Sequence, residues 1–309
     1  MSRSSVAVLT SGVLFLLLAA SCGPGGDSPG EGGLLVVATT GMIADSVTRV
    51  AGPDVRVRAL MGPGVDPHLY KASESDVRAL TGADLILYNG LHLEGKMGEI
   101  LERVGRTRPV VAVAEAIPED VLLEPADAAG QYDPHIWFDV ALWSRTLDPI
   151  VEALAGVAPD LEAGFRERAG AYRTELEELD AWVESRIAEI PEERRVLVTA
   201  HDAFGYFGRR YGMELVGLQG ISTVAEAGLQ DVDRVVETIA GRRIPAIFVE
   251  SSVPRRSIEA VQAACRARDH EVRIGGELFS DAMGTEGTPE GTYPGMVRHN
   301  VNAIVEALR

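Results

Sequence analysis

Cysteine is scarce in this chain of 309 residues: there are two, Cys22 and Cys265. A disulfide framework is therefore excluded, and stability has to come from a buried core. Cys265, in VQAACRA, reads as helix packing rather than chemistry. Long apolar runs are scarce as well. The one near the start, Val6 to Ala20, covers about 15 residues, short of the ~20 that cross a bilayer. No other run is longer, and no basic amphipathic stretch suits a lipid surface. Positive charge is in deficit, with 29 Lys and Arg against 46 Asp and Glu and a net charge of −17. Such a surface repels phosphate backbones and argues against nucleic acid as a partner. A GxxxxGK[ST] phosphate loop and an HExxH helix are both missing, which argues against nucleotide hydrolysis and against the commonest metallopeptidase chemistry.

What is present begins with an export signal. Arg3 precedes the short apolar run, and Ala19, Ala20 and Ser21 precede Cys22. Small residues before a cysteine suit lipoprotein processing, so residues 1–21 are expected to be removed and Cys22 to become the acylated N-terminus; an ordinary secretory signal is the alternative. Residues 22–33, with GPGGDSPGEGG, contain nothing to bury and read as a flexible leash. The protein is expected outside the cytoplasmic membrane, anchored by lipid to its outer face in a periplasm or at a cell surface.

From Leu34 onward, short apolar runs alternate with amphipathic stretches. Runs at 34–39, 55–60, 84–89 and 109–114 are followed by a second set at 195–200, 214–218, 246–251 and 271–275. Continuous apolar strands separated by helices imply covered parallel sheets. The predicted fold is α/β, two lobes each with a four-stranded parallel sheet flanked by helices. Between them Leu161, Phe165, Tyr172, Leu176, Leu179, Val183, Ile187 and Ile190 recur at three- and four-residue intervals, Pro159 opens the stretch and Pro191 closes it. One long, rigid helix over 159–190 is predicted to join an N-terminal lobe, 34–158, to a C-terminal lobe, 191–309.

Open parallel sheets bind ligands beyond the carboxyl ends of their strands. There lie His68 in GPGVDPHLY, His135 in QYDPHIWFD, His201 in TAHDAFGYF and Asp281 in GGELFSDAMG. The first two share an Asp-Pro-His form in which proline stiffens the turn. Three imidazoles and a carboxylate suit one divalent first-row ion of borderline softness, Zn2+ or Mn2+, better than calcium, magnesium or copper(I). Spacing by itself is weak support, because the ligands lie far apart in sequence and a lone loop histidine is commonly a surface or capping residue. Asp66, Asp133, Asp202 and Glu250 are candidates to hold the second ring nitrogens. Trp137, Phe138, Tyr206 and Phe207 flank the ligands, either drying the site or packing the interface. His92, His270 and His299 are read as structural.

Eight ordered motifs, TTGMIADSV, GPGVDPHLY, NGLHLEGKM, DPHIWFD, HDAFGYFGRRYG, GLQGISTVAEAG, VESSVP and GGELFSDAMG, together resemble the metal-binding receptors of bacterial zinc/manganese ABC importers, of the TroA-like kind. The resemblance runs from about Leu34 to the C-terminus. It implies a high-affinity receptor, not an enzyme, that binds one Zn2+ or Mn2+ as cargo through His68, His135, His201 and Asp281. It also implies delivery to a membrane permease driven by a separate ATPase subunit; a monomer is expected. Histidine at 201, where some manganese-binding relatives carry glutamate, leans towards zinc. The stretch from Ile117 to Asp133 lacks the histidine-rich loop of many zinc-dedicated relatives. A secreted zinc-dependent hydrolase and a metal-binding surface adhesin are the alternatives.

Overall fold

The computed structural model describes residues 33–125 and 130–309. The expected signal, Cys22 and nearly all of the leash lie outside the described residues. The first sheet has four parallel strands, β1 (Leu34–Ala38), β2 (Val55–Ala59), β3 (Leu85–Tyr88) and β4 (Val110–Ala112), in the order β2-β1-β3-β4. Helices α1 (Gly41–Ala51), α2 (Glu74–Gly82) and α3 (Gly98–Gly105) form the connections. Val37, Ile86, Leu80 and Leu101 pack on one face, and Val36, Leu85, Leu87 and Val47 on the other. Burial on both faces is why the central strands β1 and β3 read as unbroken apolar runs, whereas β2, at the sheet edge, carries Arg56 and Arg58.

The second half contains β5 (Val196–His201), β6 (Glu214–Gln219), β7 (Ala246–Glu250) and β8 (Arg273–Leu278). Its hydrogen-bonded ladders form two parallel pairs, β5 with β6 and β7 with β8, where one ladder of four was expected. β5 and β7 run side by side, held by a common core that includes Val196, Val198, Ile247 and Val249. At the carboxyl end the link is a side chain, because the His201 N–H donates to Glu250 Oε1 at 2.9 Å. The last strand begins later than expected and runs through Gly275. A Cβ there would lie 2.8 Å from both Ala307 and the Phe248 ring, so only glycine allows so close a fit.

Helices α4 (Val140–Trp143), α5 (Leu147–Val157) and α6 (Glu162–Ile187) follow the first sheet; α7 (Gly205–Tyr211), α8 (Leu229–Arg242), α9 (Arg256–Arg266) and α10 (Tyr293–Leu308) complete the second half. The long helix is α6. Its first expected turn, Pro159–Leu161, is a tight 3-10 turn, and the α-helix proper has 26 residues, about 39 Å at 1.5 Å per residue. Its buried stripe runs from Phe165 through Tyr172, Leu176 and Leu179 to Ile187. That stripe packs on α1 and α5 from the first half and on α10 from the second. One core cluster consequently takes in Val36, Trp143, Leu176, Tyr206 and Tyr293, and Gly33–Arg309 forms one compact unit.

Candidate metal centre

The turn after β2 carries His68. Asp66 Oδ1 accepts the His68 N–H at 2.8 Å, closing the Asp-Pro-His turn upon itself. The second Asp-Pro-His turn is closed in the same way, with Asp133 Oδ1 accepting the His135 N–H at 2.9 Å. An aspartate that bonds the main chain two residues on is a turn former, and proline between them removes a competing donor. His201 was expected in a loop but is the last residue of β5, in register with Gln219 of β6. Asp281 lies just beyond β8.

These four side chains meet. A ligand atom from each lies within 4.8 Å of every other. His68 Nε2 and His135 Nε2 are 3.3 Å apart. His135 Nε2 is 3.4 Å from Asp281 Oδ1, and His201 Nε2 is 3.3 Å from Asp281 Oδ2. A tetrahedron with metal–ligand bonds of about 2.0–2.1 Å has edges of about 3.3–3.4 Å. The His68–His135 separation, and that from each of His135 and His201 to its nearer Asp281 oxygen, are of this size, while His68 Nε2 to Asp281 Oδ2 is wider, at 3.9 Å. Asp281 presents one oxygen towards His135 and the other towards His201.

Both Asp281 oxygens and His201 Nε2 are buried without a hydrogen-bond partner. Buried polar atoms normally have hydrogen-bond partners, so donor atoms that face one point without such a partner fit a cation.

The rings are set from behind. Asp133 Oδ1 accepts from His135 Nδ1 at 2.6 Å, and Glu250 Oε2 accepts from His201 Nδ1 at 2.5 Å. Each bond turns Nε2 inward. Asp66 accepts the main-chain N–H of His68 and, at 2.5 Å, the hydroxyl of Thr223. Asp202 donates its own N–H to the Gly220 carbonyl at 3.3 Å; the His201 ring is held by Glu250. Burial by itself lowers the pKa of His135, but Asp133 and Asp281 outweigh it and push the ring up to about 9. His201 is likewise raised, with Glu250 and Asp281 overcoming burial. Burial dominates at His68 and pushes it down to about 3. Burial raises the pKa of Asp281, yet the His201 and His135 charges hold it well below the usual carboxylate range.

Several contributors were not picked out in the sequence. Asn89 Nδ2 donates to the Pro134 carbonyl at 3.0 Å, and the buried Glu94 carboxylate accepts the Asn89 N–H and the Thr39 hydroxyl, each at 2.7 Å. The signal available was Asn89-Gly90 at the end of a strand, an ordinary turn pair. Ser280 accepts the Trp137 indole N–H at 3.0 Å. Tyr206, read only as a flanking aromatic, donates to the Asp133 carbonyl at 2.9 Å. Trp137, Phe138, Tyr206 and Phe207 are all buried in the core that spans both halves. His270 and His299 bond main-chain carbonyls, and His92 lies in a left-handed turn. None of the three joins the cluster.

Residues 36–307 match the family described as ZnuA, zinc-uptake complex component A, periplasmic. The chain belongs to the ZnuA family. Among relatives it is 54% identical over 282 residues to the zinc-binding protein TroA of Treponema pallidum (strain Nichols), covering 91% of each chain. It is 49% identical over 304 residues to the manganese-binding lipoprotein MntA of Bacillus subtilis (strain 168), covering 97% of this chain and 99% of that one. The solved structure of the periplasmic zinc-binding protein TroA from Treponema pallidum superposes with a TM-score of 0.88 over 90% of this chain and 99% of that one. The Fe(III)-bound YtgA of Chlamydia trachomatis superposes with a TM-score of 0.81 at 28% identity, covering 89% and 98%. The ZnuA-family assignment agrees with the resemblance read from the motifs, and the α/β architecture with its long helix is the one TroA has.

Proposed function

We propose that this ZnuA-family chain is the extracytoplasmic receptor of an ABC importer, that it binds one Zn2+ or Mn2+ through His68, His135, His201 and Asp281, and that it delivers the ion to a membrane permease. The observation that carries the reading is the convergence of three Nε2 atoms and an unpartnered buried carboxylate at separations suited to one small ion. Relatives named for zinc and for manganese support that pair of metals. His68 and His135 come from the proposed N-terminal lobe, 34–158, and His201 and Asp281 from the proposed C-terminal lobe, 191–309, with 159–190 between. The ion would therefore add a link across the molecule and stabilise the closed state that a permease can distinguish.

The ion is cargo in this reading, and the chain does not turn over a substrate. The carboxylates nearest the rings, Asp133 and Glu250, hold those rings, whereas a hydrolase would direct one at a metal-bound water. Cys22 is the proposed lipid anchor, by analogy with relatives named as lipoproteins, and 22–33 its leash. The deciding experiment is elemental analysis of residues 34–309 purified without chelator or affinity metal, followed by competitive titration with zinc and manganese. One equivalent in wild type, lost in Asp281→Ala, is the expected result. No bound metal at any ratio would overturn the proposal.

A further inference from the structure

The four proposed ligands are not held alike. His135, His201 and Asp281 are 0%, 0% and 2% exposed, and His68 is 5% exposed. Three of them belong to a deep frame. Asp133 holds the His135 ring, and Tyr206 from α7 in turn holds the Asp133 carbonyl. Glu250 holds His201 at both its main-chain and its ring nitrogen. The Trp137 indole holds the Ser280 carbonyl, one residue before Asp281, and the Tyr293 hydroxyl holds the Trp137 carbonyl at 2.8 Å. Three of these bonds, from Tyr206, Trp137 and Tyr293, cross between the halves inside a shared core. Packed cores resist gradual opening, so this frame is not where an ion passes.

His68 shares the aspartate-closed turn of His135, but its aspartate reaches across to the second half. Its turn is closed by Asp66 Oδ1, and the other oxygen of that carboxylate accepts the Thr223 hydroxyl at 2.5 Å. Thr223 lies in the loop between β6 and α8, on the opposite half. Its neighbour Val224 is 53% exposed, and Leu69, beside His68, is 48% exposed. Thr223 itself is 7% exposed and Asp66 is half-buried, so the bond lies one layer beneath that exposed rim and joins the first half to the second.

We propose that Thr223 is a positioning residue that latches the His68 turn through Asp66 and sets how long the ion stays bound. Release proceeds by loss of the Thr223–Asp66 bond and outward movement of His68, with the other three ligands left in place. The proposal rests on His68 being a ligand.

The test is the rate at which an excess of chelator captures Zn2+ from the loaded protein, measured for wild type, Thr223→Val and Thr223→Ser. A hydrogen bond to a carboxylate is strong enough that its loss should speed release about tenfold. Thr223→Val is expected to release that much faster while still binding one equivalent and keeping the thermal midpoint of the metal-free protein. Thr223→Ser, which keeps the hydroxyl, is expected to restore the slow rate even if the valine variant is also less stable. A wild-type rate in Thr223→Val, or an equally fast rate in Thr223→Ser, overturns the latch. His68→Ala tests the premise separately: one equivalent bound at wild-type affinity removes the ligand assignment, whereas loss of binding beside an unchanged Thr223→Val rate removes only the latch.

Discussion

Glu250 grips His201 at two points, one carboxylate oxygen accepting the main-chain N–H at 2.9 Å and the other the ring Nδ1–H at 2.5 Å. The two residues end neighbouring strands, so a single side chain joins β5 to β7 and also aims a ligand. Glu250→Gln retains one acceptor and substitutes a donor for the other, so the ring and its amide compete as donors. Zinc affinity is expected to fall roughly 10–100-fold, the usual effect of losing a partner behind a metal-bound histidine. Competitive titration against a chromogenic chelator measures it, and an affinity within about threefold of wild type would refute the orienting role.

Gly205 opens α7 directly against Asp133. A Cβ at this position would lie 2.6 Å from Asp133 Oδ2, and that carboxylate holds His135. Gly205→Ala should displace Asp133 and weaken binding by a similar factor, roughly 10–100-fold, although residue 205 is no ligand. The same titration decides it; unchanged binding would mean that Asp133 shifts without carrying His135 along.

Proton release should accompany binding. His135, raised to about 9, and His201, also raised, carry protons near neutral pH in the metal-free protein, whereas His68, lowered to about 3, is neutral. Metal-bound imidazoles are neutral, so two protons leave per ion, and affinity should rise about 100-fold per pH unit around pH 6.5. Calorimetry in buffers of different ionisation enthalpy counts the protons, and a count near zero would contradict the assignment.

The same two rings predict how the metal-free protein responds to pH. A histidine whose folded pKa is raised contributes stability that is fully present below its unfolded value of about 6.5 and is lost as pH rises through the folded value. For His135 that window runs from 6.5 to about 9. The thermal midpoint of metal-free wild type should therefore fall across it relative to His135→Gln. Parallel curves for the two proteins would show that His135 is neutral without metal.

Tyr206 ties the halves together. Its hydroxyl donates to the Asp133 carbonyl and accepts the Leu123 N–H at 3.1 Å. Tyr206→Phe leaves both without that partner, and the loss should be about 1–3 kcal/mol in denaturant unfolding. Unchanged stability would show that water replaces the hydroxyl at both groups.

Strand positions were legible because a strand covered on both faces has to be apolar throughout, as LLVVA and LILY are. The long helix was legible from its stripe, except that Ala169 and Asp180 belong to it too. Alanine is too small to mark a face, and Asp180 is buried because it accepts the Tyr211 hydroxyl at 2.8 Å, a contact made across 31 residues. Pairing the acids with the rings was beyond sequence reasoning: Asp133 is two residues from His135, but Glu250 is 49 from His201.

Local sequence was enough to locate the strands to within a few residues, to mark the long helix, and to single out three histidines and an aspartate at or beyond strand ends. Those are local matters of periodicity, turn chemistry and side-chain type. It took the folded core to bring the four donors to ion-sized separations, to set Glu250 behind the His201 ring and to bring Thr223 to Asp66. Each of these depends on where distant strand ends come to rest, and that is set by packing of the whole core.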